Sequence, residues 1–186
     1  MLERSERARE ILNAVGALLH DRGKHFEIVV VGGTALLLTG LHGRATKDVD
    51  ILALRSGNDL IDAKELPAQL VLASEEVGRI YGLAPDWFNS DPSDQLAEGL
   101  PEGFVARLQR FDFGGLVVHV PDRLDQIALK VHAAADPSLP NKHLDDLRIM
   151  APTEDELMTA NDFALSQRRR RDVRARVSRV IEELRS

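Results

Sequence analysis

The 186 residues include no cysteine, which excludes disulfides and thiolate metal sites. Aromatic residues are scarce, at 4 % with one Trp and one Tyr. None falls within the basic run near the C-terminus, so that run offers no base-stacking platform. No apolar stretch reaches membrane-spanning length. The opening residues Met1 to Arg7 are charged and lead into a helical pattern rather than a signal-type apolar region, so a cytoplasmic protein without a membrane partner is expected. There is no internal repeat. The spacing of His119, His132 and His143 fits no zinc motif, and nothing suggests a Ser-His-Asp triad. The formal net charge of −6 argues against whole-molecule attraction to nucleic acid. What is present is an ordinary globular composition, 44 % hydrophobic, in a chain long enough for one real core or a core with a small helical lobe.

The periodicity alternates early and turns helical late. Ala8, Ile11, Leu12, Val15, Leu18 and Leu19 mark an amphipathic helix over Leu2–Asp21, ended by Gly23. Phe26–Val31 is a continuous apolar run and predicts a buried strand. An apolar helix over 34–41 and a second strand over 47–54 follow, with a turn at Ser56 to Asp59. A helix over 66–81 is predicted to turn Leu70, Val77 and Ile80 to the core. The stretch 84–89 reads as a short third strand, and 90–103 as loop with one helical turn. Residues 104–113 and Leu116–Val120, joined by Gly114 and Gly115, read as a hairpin. Asp122 N-caps a helix to about 135. Pro137 and Pro140 break it, a helix over 141–150 follows, and Thr153 with Glu156 forms a capping box for another. Residues 172–184 complete the pattern. The expected fold is α/β (α+β): a small mixed sheet core over 1–120 with a C-terminal helical lobe over 121–186.

Two features carry chemistry. The first strand ends in Gly32, Gly33 and Thr34 and then becomes helix. Without Cβ atoms, the glycines let a phosphate approach the N–H groups of a helix start; Thr34 is also suited to cap that helix. The second is Asp48-Val49-Asp50 inside an apolar run. Residues i and i+2 of a strand share a face, and two carboxylates on a buried face repel and lose hydration. A hard cation such as Mg²⁺ removes that penalty. Arg44 and Lys47 precede the pair and are placed to neutralise triphosphate oxygens.

Gly32-Gly33-Thr34-Ala35-Leu36 followed by Thr46-Lys47-Asp48-Val49-Asp50 resembles the nucleotidyltransferases of the DNA polymerase beta type. The similarity is strongest to the small bacterial branch that holds AbiEii-type toxin and aminoglycoside nucleotidyltransferases. A second block of resemblance runs from Val120 through Lys130 to Asp146-Leu147, so that the whole spans roughly 29–146. The resemblance implies an enzyme that uses Mg²⁺ on Asp48 and Asp50. It binds a nucleoside triphosphate such as ATP through Gly32, Gly33, Thr34, Arg44, Lys47, Lys130 and Asp146. Lys130 edges an apolar helical stripe and Asp146 is a partner for it or for substrate. A third, general-base carboxylate is also implied. Asp86 occupies the expected place in the order of elements, and Asp112, between two phenylalanines, matches the local pattern. The acceptor implied is a tRNA 3′ end, as for the toxin of a pair with a cognate antitoxin, or a small-molecule hydroxyl. Arg168 to Arg171, Arg174, Arg176 and Arg179 would suit a sequence-blind phosphate contact. The competing reading is a catalytically inactive nucleotide-binding or protein-interaction module on the same fold.

Overall fold

A computed structural model describes residues 2–41, 46, 48–136, 142–166 and 171–185. Arg44, Lys47, Pro137, Pro140, Asn141 and Arg168 to Arg170 lie outside them. The chain is a mixed α/β structure. Helix α1 (Leu2–Asp21) leads into β1 (Phe26–Val31), α2 (Gly32–Leu38), β2 (Val49–Ser56), β3 (Asp59–Asp62) and α3 (Ala68–Tyr81). Then come β4 (Phe88–Asn89), the short α4 (Asp94–Glu98), β5 (Gln109–Asp112) and β6 (Leu116–Val120). Four helices follow: α5 (Arg123–Ala134), α6 (Lys142–Met150), α7 (Glu154–Ser166) and α8 (Arg171–Arg185). No helix of the described residues is long and apolar enough to cross a membrane.

The sheet runs β3-β2-β1-β6-β5, with β4 on the first residues of β2. β1 is antiparallel to β2 and parallel to β6, so the fold is not a simple parallel βαβ series. The outer edge of β2 is shared: Ala53 to Ser56 pair with β3, while Val49 and Asp50 pair with Phe88 and Asn89. Between β1 and β2 the register slips by one residue, Val29 facing Ala53 and Val30 facing Ile51. Leu52 is therefore a β-bulge.

The two sheet faces bury different things. Ile28, Val30, Val49, Ile51, Leu116 and Val118 pack under α1 and α3 with Trp87. Val29, Leu52 and Ala53 face the other way, onto Phe104. Trp87 is 2 % exposed and its indole Nε1 donates to the Ser74 carbonyl at 3.2 Å, which fixes the segment before β4. The C-terminal helices share a core of Ile127, Val131, Leu147, Leu157, Val177 and Ile181, and Leu36 of α2 is buried in it. The same α2 thus starts at the glycine pair and reaches the helical cluster through Leu36, while its last residue, Leu38, packs in the core with α1 and α3.

Local signals act as the sequence suggests at two helix starts. Asp122 accepts from the Asp125 N–H at 2.9 Å. Thr153 and Glu156 form the reciprocal box at 2.8 and 3.3 Å. Other expectations change. Ile80 is 73 % exposed: the turn after Val77 that packs on the core belongs to Tyr81, whose ring also lies under Arg7. Helix α2 begins two residues before 34, and β2 is displaced to Val49–Ser56. Residues Phe104–Arg107 form a 3-10 turn rather than strand, because Gly103 is left-handed (φ +74) and Arg107 folds back over it.

Candidate active site

Asp50 is the carboxylate that meets the glycine turn. It pairs with Val31, the last residue of β1, so its carboxylate meets the start of α2. A Cβ on Gly32 would sit 2.3 Å from Asp50 Oδ2, and Gly32 has φ +73. A Cβ on Gly33 would sit 2.7 Å from Thr46 Cβ. Both glycines are thus required by the close approach of the carboxylate segment as well as by any phosphate. Thr34 does not cap α2. Its hydroxyl donates instead to the Asp48 carbonyl at 2.6 Å, and Thr46 Oγ1 accepts from the Asp48 N–H at 3.2 Å. The helix start has no side-chain cap.

Asp48 stands exposed just before β2, while Asp50 is half-buried. Burial pushes the Asp50 carboxyl above its ordinary range. An Asn89 hydrogen bond and the Lys142 charge oppose the rise, and the charges of Asp48 and Asp91 add to it. Asn89 Nδ2 donates to Asp50 Oδ1 at 3.3 Å, and Asn89 Oδ1 accepts from the Asp91 N–H at 3.1 Å. The β4 pairing, reinforced by a 2.6 Å bond from the Val49 N–H to the Trp87 carbonyl, sets these residues around Asp50.

The sequence alone did not single out Asn89, Asp91 or Lys142. Asn89 follows Trp87 and Phe88, and that apolar pair is the signal which puts it on a strand. Asp86 is exposed, and only its carbonyl approaches Asn89, at 3.4 Å. Asp112 lies on β5, the far edge of the sheet, where it accepts from Gly114 N–H at 2.9 Å and pairs with Arg110 at 2.8 Å. Lys130 is 6 % exposed and its amine is 2.6 Å from Asp146 Oδ2. The structure brings those two together inside the helical cluster.

Among the described residues no three His, Asp or Glu side chains form a group able to hold a metal. Mg²⁺ does not need one: it keeps several waters and binds through one or two carboxylates and substrate phosphates. Asp48 and Asp50, one exposed and one half-buried, with Asp91 adding to the negative potential, fit that ligand set.

Residues 8–148 match the family described as "Nucleotidyltransferase of unknown function (DUF6036)". The chain belongs to that family. No curated protein and no solved structure matches it. In this nucleotidyltransferase-family protein the matched span contains the glycine turn, both carboxylates, Asn89, Lys130 and Asp146.

The Gly32 geometry has a measurable consequence. Gly32→Ala adds a Cβ at a left-handed φ and against Asp50 Oδ2. The backbone effect alone costs about 1–2 kcal/mol. We expect a lower urea midpoint and loss of triphosphate binding. A variant with unchanged stability would show that the close approach is not kept in solution.

Proposed function

We propose that this protein transfers a nucleoside monophosphate from a nucleoside triphosphate to an acceptor hydroxyl, using Mg²⁺ held by Asp48 and Asp50. The observation that carries the reading is the approach of Asp50 to the Gly32 turn. It puts a carboxylate in need of a cation beside a backbone open to phosphate. When bound, the metal neutralises the triphosphate and polarises the phosphorus under attack. Gly32 and Gly33 let the carboxylate segment approach the turn, Thr34 ties the Asp48 backbone to it, and Asn89 orients the Asp50 carboxylate. Arg44, Lys47 and Lys142 supply positive charge. The acceptor oxygen bonds to the α-phosphorus, the bond to the β-phosphate oxygen breaks, and pyrophosphate leaves. The hydroxyl proton passes to a nearby carboxylate. Asp86 is placed for this by chain order, and Asp91 by its influence on Asp50. Lys130 and Asp146 support the site by holding α5 to α6.

The acceptor we propose is a tRNA 3′ end or a small-molecule hydroxyl. For the former, Arg174 and Arg179, both exposed on α8, favour phosphate contact, and a cognate antitoxin would be the partner. The second reading, a nucleotide-binding module without catalysis, is favoured by the place of Asp112 on the far edge of the sheet from Asp50.

Incubation with each α-labelled triphosphate, Mg²⁺ and total RNA separates these readings. Wild type should place label on RNA, and Asp48→Asn should reduce incorporation to background while remaining folded. Triphosphate binding without transfer to RNA or to small hydroxyl compounds would favour the binding module. An Asp48→Asn protein with full activity would remove the metal assignment.

A further inference from the structure

A second feature lies on the same sheet face as Asp50, toward the other end of β2. The loop 100–108 lines one side of an open cleft of about 700 Å³. Its walls are mainly apolar, with Leu100, Phe104, Val105 and Leu108, and its polar groups are Arg55 and Asn58. The wall is held in place. Phe104 is 2 % exposed, and Arg107 reaches Asp125 with two bonds of 3.0 and 2.6 Å and the Glu102 carbonyl at 2.7 Å. Asp125 is fully buried in α5. The cleft is therefore anchored to a helix rather than being a fold of a loose loop.

Arg55 is fixed on two sides. Nε donates to the Gly57 carbonyl at 2.7 Å and Nη1 to His119 Nδ1 at 2.7 Å. A guanidinium only donates, so His119 Nδ1 is the acceptor and the proton sits on Nε2, which donates to Glu27 at 2.7 Å. This neutral tautomer is assigned from the network, and burial, which holds the His119 pKa below its usual value, agrees with it. Glu27 acts on Arg55 only from across the imidazole ring. Nη2 has no hydrogen-bond partner among the described residues. The result is a pre-oriented cation at the end of an apolar cleft, with one donor edge left over.

We infer that this cleft binds a small amphiphilic anion, its apolar body against the half-buried Leu100, Val105 and Leu108 and its single carboxylate-type head on Arg55 and Asn58. The inference does not depend on nucleotidyl transfer at Asp50.

Titration of the full-length, nucleotide-free protein with 1-anilinonaphthalene-8-sulfonate tests it, followed by displacement with decanoate and with decanol. The dye should bind saturably at one site. Decanoate should displace it about tenfold more effectively than decanol, as a charge-assisted hydrogen bond provides. Ala106→Trp fills the cleft from an exposed position that needs no repacking, and should abolish dye binding with an unchanged melting temperature. Arg55→Gln should bring the decanoate-to-decanol ratio close to one. Because that variant also removes a partner of buried His119, Ala106→Trp decides the location on its own. Dye binding that survives Ala106→Trp, no dye binding at all, or equal displacement by the acid and the alcohol in the wild type would each overturn the inference.

Discussion

Asp50→Asn is expected to lower nucleotidyl transfer by about a thousandfold or more, roughly 4 kcal/mol of transition-state stabilisation, while making the metal-free protein more stable. The second half of that expectation comes from the sign of the pKa shift. Burial raises the Asp50 carboxyl in the folded state. The folded protein therefore holds the proton more tightly than the unfolded chain. The stability this provides is complete below the unfolded pKa and is lost as pH rises through the folded value. At neutral pH the ionised Asp50 is a cost, shared with Asp48 and Asp91. Asparagine removes the charge and still presents an oxygen to Asn89. Melting curves should show the variant above wild type at pH 7, with the gap closing toward pH 3. Added Mg²⁺ should raise the wild-type melting temperature and leave Asp50→Asn unmoved. Equal metal-induced shifts in both proteins would place the cation elsewhere.

Lys130→Ala should be strongly destabilising. The amine and Asp146 are 7 % and 4 % exposed in their side chains and 2.6 Å apart. Removing one member of a buried pair takes from the other its 2.6 Å partner, at about 3–5 kcal/mol. For a chain of this size that is a fall of roughly 10 °C in melting temperature. The joint replacement Lys130→Met with Asp146→Leu should recover most of the loss, because the opposing buried charge goes too. Chemical denaturation of the single and double variants reads this directly. If Lys130→Ala melts like wild type yet fails to bind triphosphate, the lysine acts on substrate and not on the fold.

The parts legible from sequence were those written in local periodicity and capping. The α1 stripe from Ile11 to Leu19, the apolar run of β1, Asp122 and the Thr153–Glu156 box all depend on residues near each other in the chain, and each appears in the structure. The link between the Gly32 turn and Asp50 was legible too, because a strand ending in two glycines and a strand with alternate aspartates make sense together. What was not legible depends on distant pairing. β3, mostly exposed apart from Leu60, has no buried alternation to announce it, and it exists because β2 offers an edge. Asn89 becomes relevant only through two residues of parallel pairing with Val49 and Asp50. Ile80 looked like core because a helix at i+3 returns near the same face, and Tyr81 took the place. Arg107, read as strand, is a tether to Asp125, a residue eighteen positions away.

The bulge at Leu52 has a consequence for how change can spread along β2. Asp50 and Arg55 are an odd number of positions apart, and in a regular strand they would stand on opposite sides of the sheet. The extra residue reverses that parity, so the carboxylate of one site and the cation of the other look out over the same surface. Regular pairing of β2 with every residue retained would leave Asp50 where it is and turn Arg55 toward α1 and α3, whereas loss of Leu52 would put the two four positions apart and keep both on this surface. Whether the bulge is kept or ironed out thus decides whether the protein has two addresses on one face or only one.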